Sequence, residues 1–256
     1  MTKASRFLTE NPGTESPLHR LDPRAKIVGF MGLTVVVVST PAHAMWAFAL
    51  YAVVLVFLIG LSRLRLTYVL KRASVVVPFV LVVAIFLPFF HRAGSGSYAV
   101  GGLHVTNDGL LVLWNAGAKA ILGVVSVILL AGTTTFTQMV AGFEGLKAPR
   151  ILVLIVSFMY RYSFLFLEEL RRMRRAMASR NYRARWLWNA PTLGHMLSAL
   201  FLRSYSRGER VYVAMLSRGY DGTVRVSGAS AFGVGEAAFL SSLFAVVMVV
   251  RVLASL

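Results

Sequence analysis

Cysteine is absent, which excludes a disulfide framework, a thiolate metal site and a cysteine nucleophile. Acidic residues are scarce, with 10 Asp and Glu against 27 Lys and Arg, for a formal charge of +17. No G-x-x-x-x-G-K-[ST] phosphate loop occurs, so the chain carries no signature of its own for nucleotide hydrolysis of that type. Charged residues make up only 14% against 57% hydrophobic, and mean hydropathy is +0.69, outside the range of a soluble domain. The polar stretch 1–26 has no apolar core ahead of a cleavage site and does not read as a signal peptide. Targeting then falls to the first internal span.

What the chain does have is apolar runs of near bilayer-spanning length. Five spans are predicted: Ile27–Thr40, extending toward His43; Ala44–Leu61; Ala73–Phe90, bent or ended by Pro78 and Pro88; Leu110–Thr133, which contains Lys119; and Ala237–Val250, flanked by Arg251. The first is short, and with the second it forms either a full hairpin or a shallower re-entrant pair, the hairpin being favoured. Segments 1–26, 62–72 and 134–236 together hold 24 Lys and Arg residues, whereas 41–43 and 91–109 hold only Arg92. By the positive-inside rule the N-terminus and the basic region are cytoplasmic and the C-terminus faces out. The same clustering beside apolar spans accounts for the net charge without nucleic acid. The outer segment 91–109 is Gly- and Ser-rich, then resumes an apolar pattern at Tyr98–Val105 that fits an edge hairpin or a flap.

The expected architecture is therefore all-α: about five transmembrane helices and a cytoplasmic arm of long amphipathic helices. Residues 1–133 form the first membrane part, 134–236 the arm and 237–256 the last membrane helix. In the arm, Pro149 fits a first helical turn, and no Gly or Pro follows until Pro191. Met159, Tyr162, Phe166, Leu170, Met173 and Met177 recur at helical spacing, with Arg161, Glu168, Arg171, Arg172 and Arg175 on other faces. Glu168 and Arg172 form a favourably ordered i,i+4 pair. A second helix is expected after Pro191 with Thr192 as its cap; Leu193, Leu197, Leu200, Ser204, Val211 and Met215 mark its stripe, and Arg203, Arg207 and Arg210 the opposite flank. Gly219 suits a left-handed cap, and Tyr220-Asp221-Gly222 a turn.

Each helix thus runs into a tripeptide centred on Arg: Ser179-Arg180-Asn181, preceded by Ala178, and Ser217-Arg218-Gly219. The helix dipole favours a cation at such an end, so an ordinary terminal Arg is one reading. The other is a bidentate donor held at a rod's tip to clasp a partner's carboxylate.

Here the residues resemble a known family. Ser16-Pro17-Leu18-His19-Arg20-Leu21-Asp22-Pro23-Arg24-Ala25-Lys26 resembles the entry segment of the transmembrane (T) components of energy-coupling factor (ECF) transporters, which are ABC importers for vitamins and for nickel or cobalt. Asp22 can cap and Pro23 start the first helix, leaving Arg24 and Lys26 at the inner headgroups. Met159-Tyr160-Arg161-Tyr162, then Ala178-Ser179-Arg180 and Ser217-Arg218-Gly219, resemble that family's two coupling helices, whose closing motif is typically Ala-Arg-Gly. The chain looks most like CbiQ of the cobalt importer. Asn181 replaces the family's usual Gly and Ser217 its usual Ala, which puts backbone geometry at Asn181 in doubt. The resemblance implies a scaffold that is not an enzyme, needs no cofactor and holds no metal itself. Its implied partners are two ATPase subunits of one kind and a capture membrane subunit for cobalt or nickel, with a small accessory membrane subunit as an option, all in membrane lipid. The ATPase-coupling residues carried over are Ala178, Ser179, Arg180, Ser217, Arg218 and Gly219.

Other residues invite sharper readings. His43, His91 and His104 fall toward the outer face, but they lack ligand spacing and a carboxylate cluster. Lys119 is either functional or snorkels outward from a helix that starts near Ala116. Gly29 with Gly32, and Gly117 with Gly123, permit close helix approach, for which the capture subunit is one candidate. Glu168-Glu169 points to two faces and makes a poor acid/base dyad. Two alternatives stand beside the cobalt reading: a T component of a vitamin importer, and a membrane enzyme acting on an anionic lipid with the Arg-rich arm as its phosphate binder.

Overall fold

The computed structural model describes residues 16–41, 44–64, 66–79, 82, 97–100, 103–180, 190–222 and 233–254. In chain order the elements are α1 (Pro17–Arg20), α2 (Pro23–Ser39), α3 (Met45–Ser62), α4 (Leu66–Ala73), β1 (Ser97–Val100), β2 (Leu103–Thr106), α5 (Asn107–Thr133), α6 (Phe136–Gly145), α7 (Arg150–Ser179), α8 (Ala190–Leu216) and α9 (Val234–Leu253). The protein is an all-α membrane protein with one antiparallel hairpin, in which Ser97 pairs with Thr106 and Val100 with Leu103. Contacts divide it into two compact units, 1–142 with 228–256, and 143–227.

The first unit is a helical bundle. α5 packs against α2, α3 and α4, and α2 packs on its other side against α9. Phe30, Leu33, Val37, Tyr51, Leu55, Leu129 and Val247 form its buried centre. Val35, Val53, Phe57 and Val249 remain exposed, an apolar exterior expected of a body solvated by lipid. Two polar contacts inside the bundle run between helices. Ser126 Oγ donates to Phe30 O (3.0 Å), and Thr40 and Tyr51 share a hydrogen bond of 3.3 Å.

Two glycines of α2 set its distance from α9. A Cβ on Gly32 would lie 2.5 Å from the Phe244 ring, and one on Gly29 3.2 Å from Leu243 Cδ2. The Gly29/Gly32 pair is therefore consumed by the chain's own last helix rather than kept for a capture subunit. Gly123 faces Thr34 at ordinary van der Waals distance.

The entry segment ties the bundle's ends together. Ser16 Oγ accepts from the Leu18 N–H (3.2 Å) and donates to Leu61 O near the end of α3 (2.9 Å). Asp22 caps α2, as expected, by accepting from the Arg24 N–H (2.8 Å) with Pro23 at the first helical position. Lys26 turns into the bundle rather than out to solvent. It is fully buried, and its Nζ donates to His19 O (3.0 Å) and to Thr133 O at the end of α5 (3.2 Å). Orphan carbonyls at a helix C-terminus attract a cation, which outweighs snorkelling here. Burial and the Lys26 charge hold the neighbouring His19 imidazole below its ordinary pKa.

Among the described residues four helices are long and apolar enough to cross a membrane: α3, the Trp114–Thr133 part of α5, α7 and α9. α2, with 17 residues, sits at the lower bound for a crossing. α7 joins this set although the sequence reading placed it in the arm, because only Arg161 interrupts its first 17 residues after Arg150. The Ala73–Phe90 span lies mostly outside the described residues. α5 begins at Asn107, well before Ala116, so Lys119 lies within a continuous helix and is half-buried. The helices α4 and α6 were not anticipated. α6 packs its Gly142 against Ile27 and Pro23.

Candidate docking site

The second unit carries both Arg-centred tripeptides. α7 is continuous over 30 residues and starts at Arg150, with Pro149 as its N-cap rather than in the first turn. Aromatic side chains one turn apart stiffen its upper half. Phe158 and Tyr162 stack at 5.9 Å, Tyr162 and Phe166 at 6.3 Å, and Tyr160 meets Phe164 edge-on at 5.2 Å. Tyr162, Phe166, Leu170, Met173 and Met177 are half-buried along one face, while Arg161, Arg171, Arg172 and Arg175 are exposed. Arg172 donates to Glu168 Oε1 (2.9 Å), which holds the Glu168 carboxyl below its usual range.

α8 starts at Ala190, ahead of the expected start after Pro191. Ala190 and Pro191 already lie in its first turn, so Thr192 is not the cap. Its Arg203, Arg207 and Arg210 are exposed, as expected of a flank. They line a groove shared with α7, in which Arg203 pairs with Glu169. A second groove, of ≈ 420 Å³, is mostly apolar and runs between Phe158, Tyr162 and Phe166 on α7 and Val211, Met215 and Tyr220 at the end of α8. Phe166, Ser204 and Arg207 border both grooves, which places the helix crossing there.

The two helix ends are built alike. Ser179 Oγ donates back to Arg175 O (3.1 Å), and Ser217 Oγ donates back to Val213 O (3.0 Å). Each serine is thereby tied to its own helix. The following residue, Arg180 or Arg218, is the C-cap in both cases, its N–H donating to the carbonyl three residues earlier: Met177 O at 3.1 Å and Met215 O at 3.0 Å. Both arginines are exposed and, among the described residues, neither has a carboxylate partner. Beyond Arg218 the chain closes a Schellman motif. Gly219 sits at φ +80°, its N–H donates to Leu216 O (2.9 Å), and the Tyr220 N–H donates to Met215 O (3.0 Å). The expected left-handed cap is thus present. Asn181 lies outside the described residues, as do His43 and His91. The serine back-bonds were missed in the sequence reading, although Ser at matching places in both tripeptides was their visible signal.

A helical bundle with an apolar exterior and several helices long enough to cross a membrane defines an integral membrane protein. Residues 14–227 match the family model CbiQ, described as cobalt transport protein. The chain is 26% identical over 222 residues to the energy-coupling factor transporter transmembrane protein EcfT of Listeria innocua, covering 82% of this chain and 83% of that one. It is 25% identical over 220 residues to EcfT of Streptococcus thermophilus, covering 82% and 83%. An uncharacterized protein of Methanocaldococcus jannaschii is 35% identical over 104 residues, 41% of this chain and 39% of that protein. The chain belongs to the CbiQ family, the transmembrane components of energy-coupling factor transporters.

Proposed function

We propose that the chain is the transmembrane coupling subunit of an ECF-type ABC importer for cobalt or nickel ions. ATP-driven motion of two ATPase subunits enters through Arg180 and Arg218 and passes to a membrane subunit that captures the metal. The observation that carries this reading is the matched construction of the two helix ends, each presenting an exposed guanidinium with no carboxylate partner among the described residues. Two like tips suit a pair of like partners. A planar fork of donors suits a carboxylate in each partner's groove. Ala178, Ser179, Ser217 and Gly219 shape the tips, the serines by back-bonding and Gly219 by its left-handed turn.

In this reading 1–133 and 237–256 are the membrane parts and 134–236 the coupling region. The distribution of Lys and Arg supports a cytoplasmic N-terminus and arm with an external C-terminus. The metal ion is cargo held by the capture subunit. Cobalt is favoured by the family's description. The EcfT-named relatives, matched over 82% of the chain, favour a second reading within the same class: a T component that serves other cargo, vitamins included.

The test is co-purification of the ATPase subunits and uptake of radiolabelled cobalt with Arg180→Ala, Arg218→Ala and the double variant. Each single change lowers uptake while the protein stays in the membrane, and the double change abolishes ATPase recovery. Parent-level uptake in both single variants, or full ATPase recovery in the double variant, removes the tips from the mechanism. Uptake of a vitamin but not cobalt by the intact complex decides for the second reading.

A further inference from the structure

The Arg-lined groove between α7 and α8 is not used by the coupling tips. We propose that it is a binding site for the phosphate of an anionic phospholipid. Arg203, Arg207 and Arg210 recur at four- and three-residue spacing, so all three reach one side of α8. Glu169 neutralises Arg203, whereas Arg207 and Arg210 have no carboxylate partner among the described residues. The groove is left with two positive charges in excess. Its serines add no donor: Ser204 Oγ donates to Phe201 O (2.7 Å) and Ser206 Oγ to Leu202 O (3.0 Å). Two guanidiniums therefore face a ligand that must supply acceptors only, as a phosphodiester does.

The position of the groove selects a lipid over a soluble anion. The apolar run of α7 ends at Leu167, and Glu168, Glu169, Arg171, Arg172, Arg174 and Arg175 follow at once. Leu165, Phe166 and Glu169 line the groove at that boundary, with Leu200 opposite. A cytoplasmic helix whose apolar run lies against the membrane surface carries this boundary at the headgroup level. The groove then offers cations to the phosphate and an apolar floor to the glycerol end of an acyl chain. Its volume of ≈ 420 Å³ is within the range of small-molecule sites.

The full chain is reconstituted in nanodiscs of phosphatidylcholine with a minor share of phosphatidylglycerol, and retained lipid is counted by native mass spectrometry. Phosphatidylglycerol is expected to be retained over phosphatidylcholine. Arg207→Gln/Arg210→Gln is expected to weaken retention about 30-fold, since each basic residue near a membrane surface contributes about a factor of 5. Both side chains are exposed, so neither change threatens the fold. Arg174→Gln/Arg175→Gln removes the same charge from α7 outside the groove and is expected to change retention much less. Equal losses in the two pairs overturn the site in favour of a diffuse basic surface. Displacement of the lipid by inorganic phosphate overturns it in favour of a soluble anion. Unchanged lipid with loss of a co-purifying membrane subunit overturns it in favour of a protein partner.

Discussion

Lys26→Met tests whether the entry segment is a structural clamp. The parent ammonium is fully buried and makes two charge-assisted hydrogen bonds, 3.0 Å to His19 O and 3.2 Å to Thr133 O. Bonds to a charged group contribute about 1.5–3 kcal/mol each, and burying the charge costs several kcal/mol in return. Met has nearly the same length and removes both the bonds and the charge. What remains is the exposure of two buried carbonyls to no donor, at about 1–3 kcal/mol apiece. Allowing for partial relaxation, the net loss is about 2–4 kcal/mol, or a fall in Tm of about 4–16 °C for a chain of this size. Thermal unfolding in detergent followed by tryptophan fluorescence reads the global effect. Hydrogen exchange reads the local one, with faster exchange expected in 17–22 and at the end of α5. A variant with the parent's Tm and unchanged exchange at both places would show that the buried ammonium is incidental.

Three glycine substitutions probe packing and backbone conformation elsewhere. Gly32→Ala drives a methyl to 2.5 Å from the Phe244 ring and is expected to cost about 1–3 kcal/mol by overpacking. Gly60→Ala in α3, with nothing within 4 Å, is expected to be neutral or mildly stabilising in the same melt. Gly219→Ala forces a side chain into φ +80° and is expected to cost about 1–2 kcal/mol locally, read as faster exchange of the Tyr220 amide with the bundle unaffected.

The helices of the membrane bundle were legible because an apolar run long enough to span lipid has few other uses, and α3, α5 and α9 fall close to their expected ranges. The caps were legible for the same local reason: Asp22-Pro23 and Gly219 signal through backbone chemistry that needs no tertiary context. Lys26 was not, because its destination is a carbonyl at the end of a helix more than a hundred residues away. Nor was the use of Gly29 and Gly32, since small residues permit close approach without naming the partner. Arg203, Arg207 and Arg210 are exposed as a flank should be, but their place beside the α7 crossing was not legible, because periodicity does not say where a second helix crosses. Of the expected stripe, Leu200, Ser204, Val211 and Met215 line the grooves with α7, whereas Leu193 and Leu197, near the start of the helix, are exposed. α4 and α6 escaped notice because they are short and adjoin long apolar runs, although the one-sided pattern of Leu66–Ala73 was there to be read.

The exposed apolar side chains bear on how the 143–227 unit holds together. Val153 is the sole buried hydrophobic side chain on α7 and α8 among the described residues. On α8 alone Leu193, Leu197, Phe201, Leu202, Tyr205, Tyr212 and Val213 are exposed. At about 1.5–3 kcal/mol per buried side chain, these seven leave on the order of 10–20 kcal/mol of burial unrealised within the unit. Each helix is stiff through its own hydrogen bonds, but the two meet mainly at the short crossing around Phe166 and Ser204. A pair built this way has little internal preference for one crossing angle over another, so its angle is set by whatever covers the exposed faces. Rigid members with a compliant joint are what a mechanical linkage requires. A unit with a fully buried core would resist the movement it is proposed to transmit.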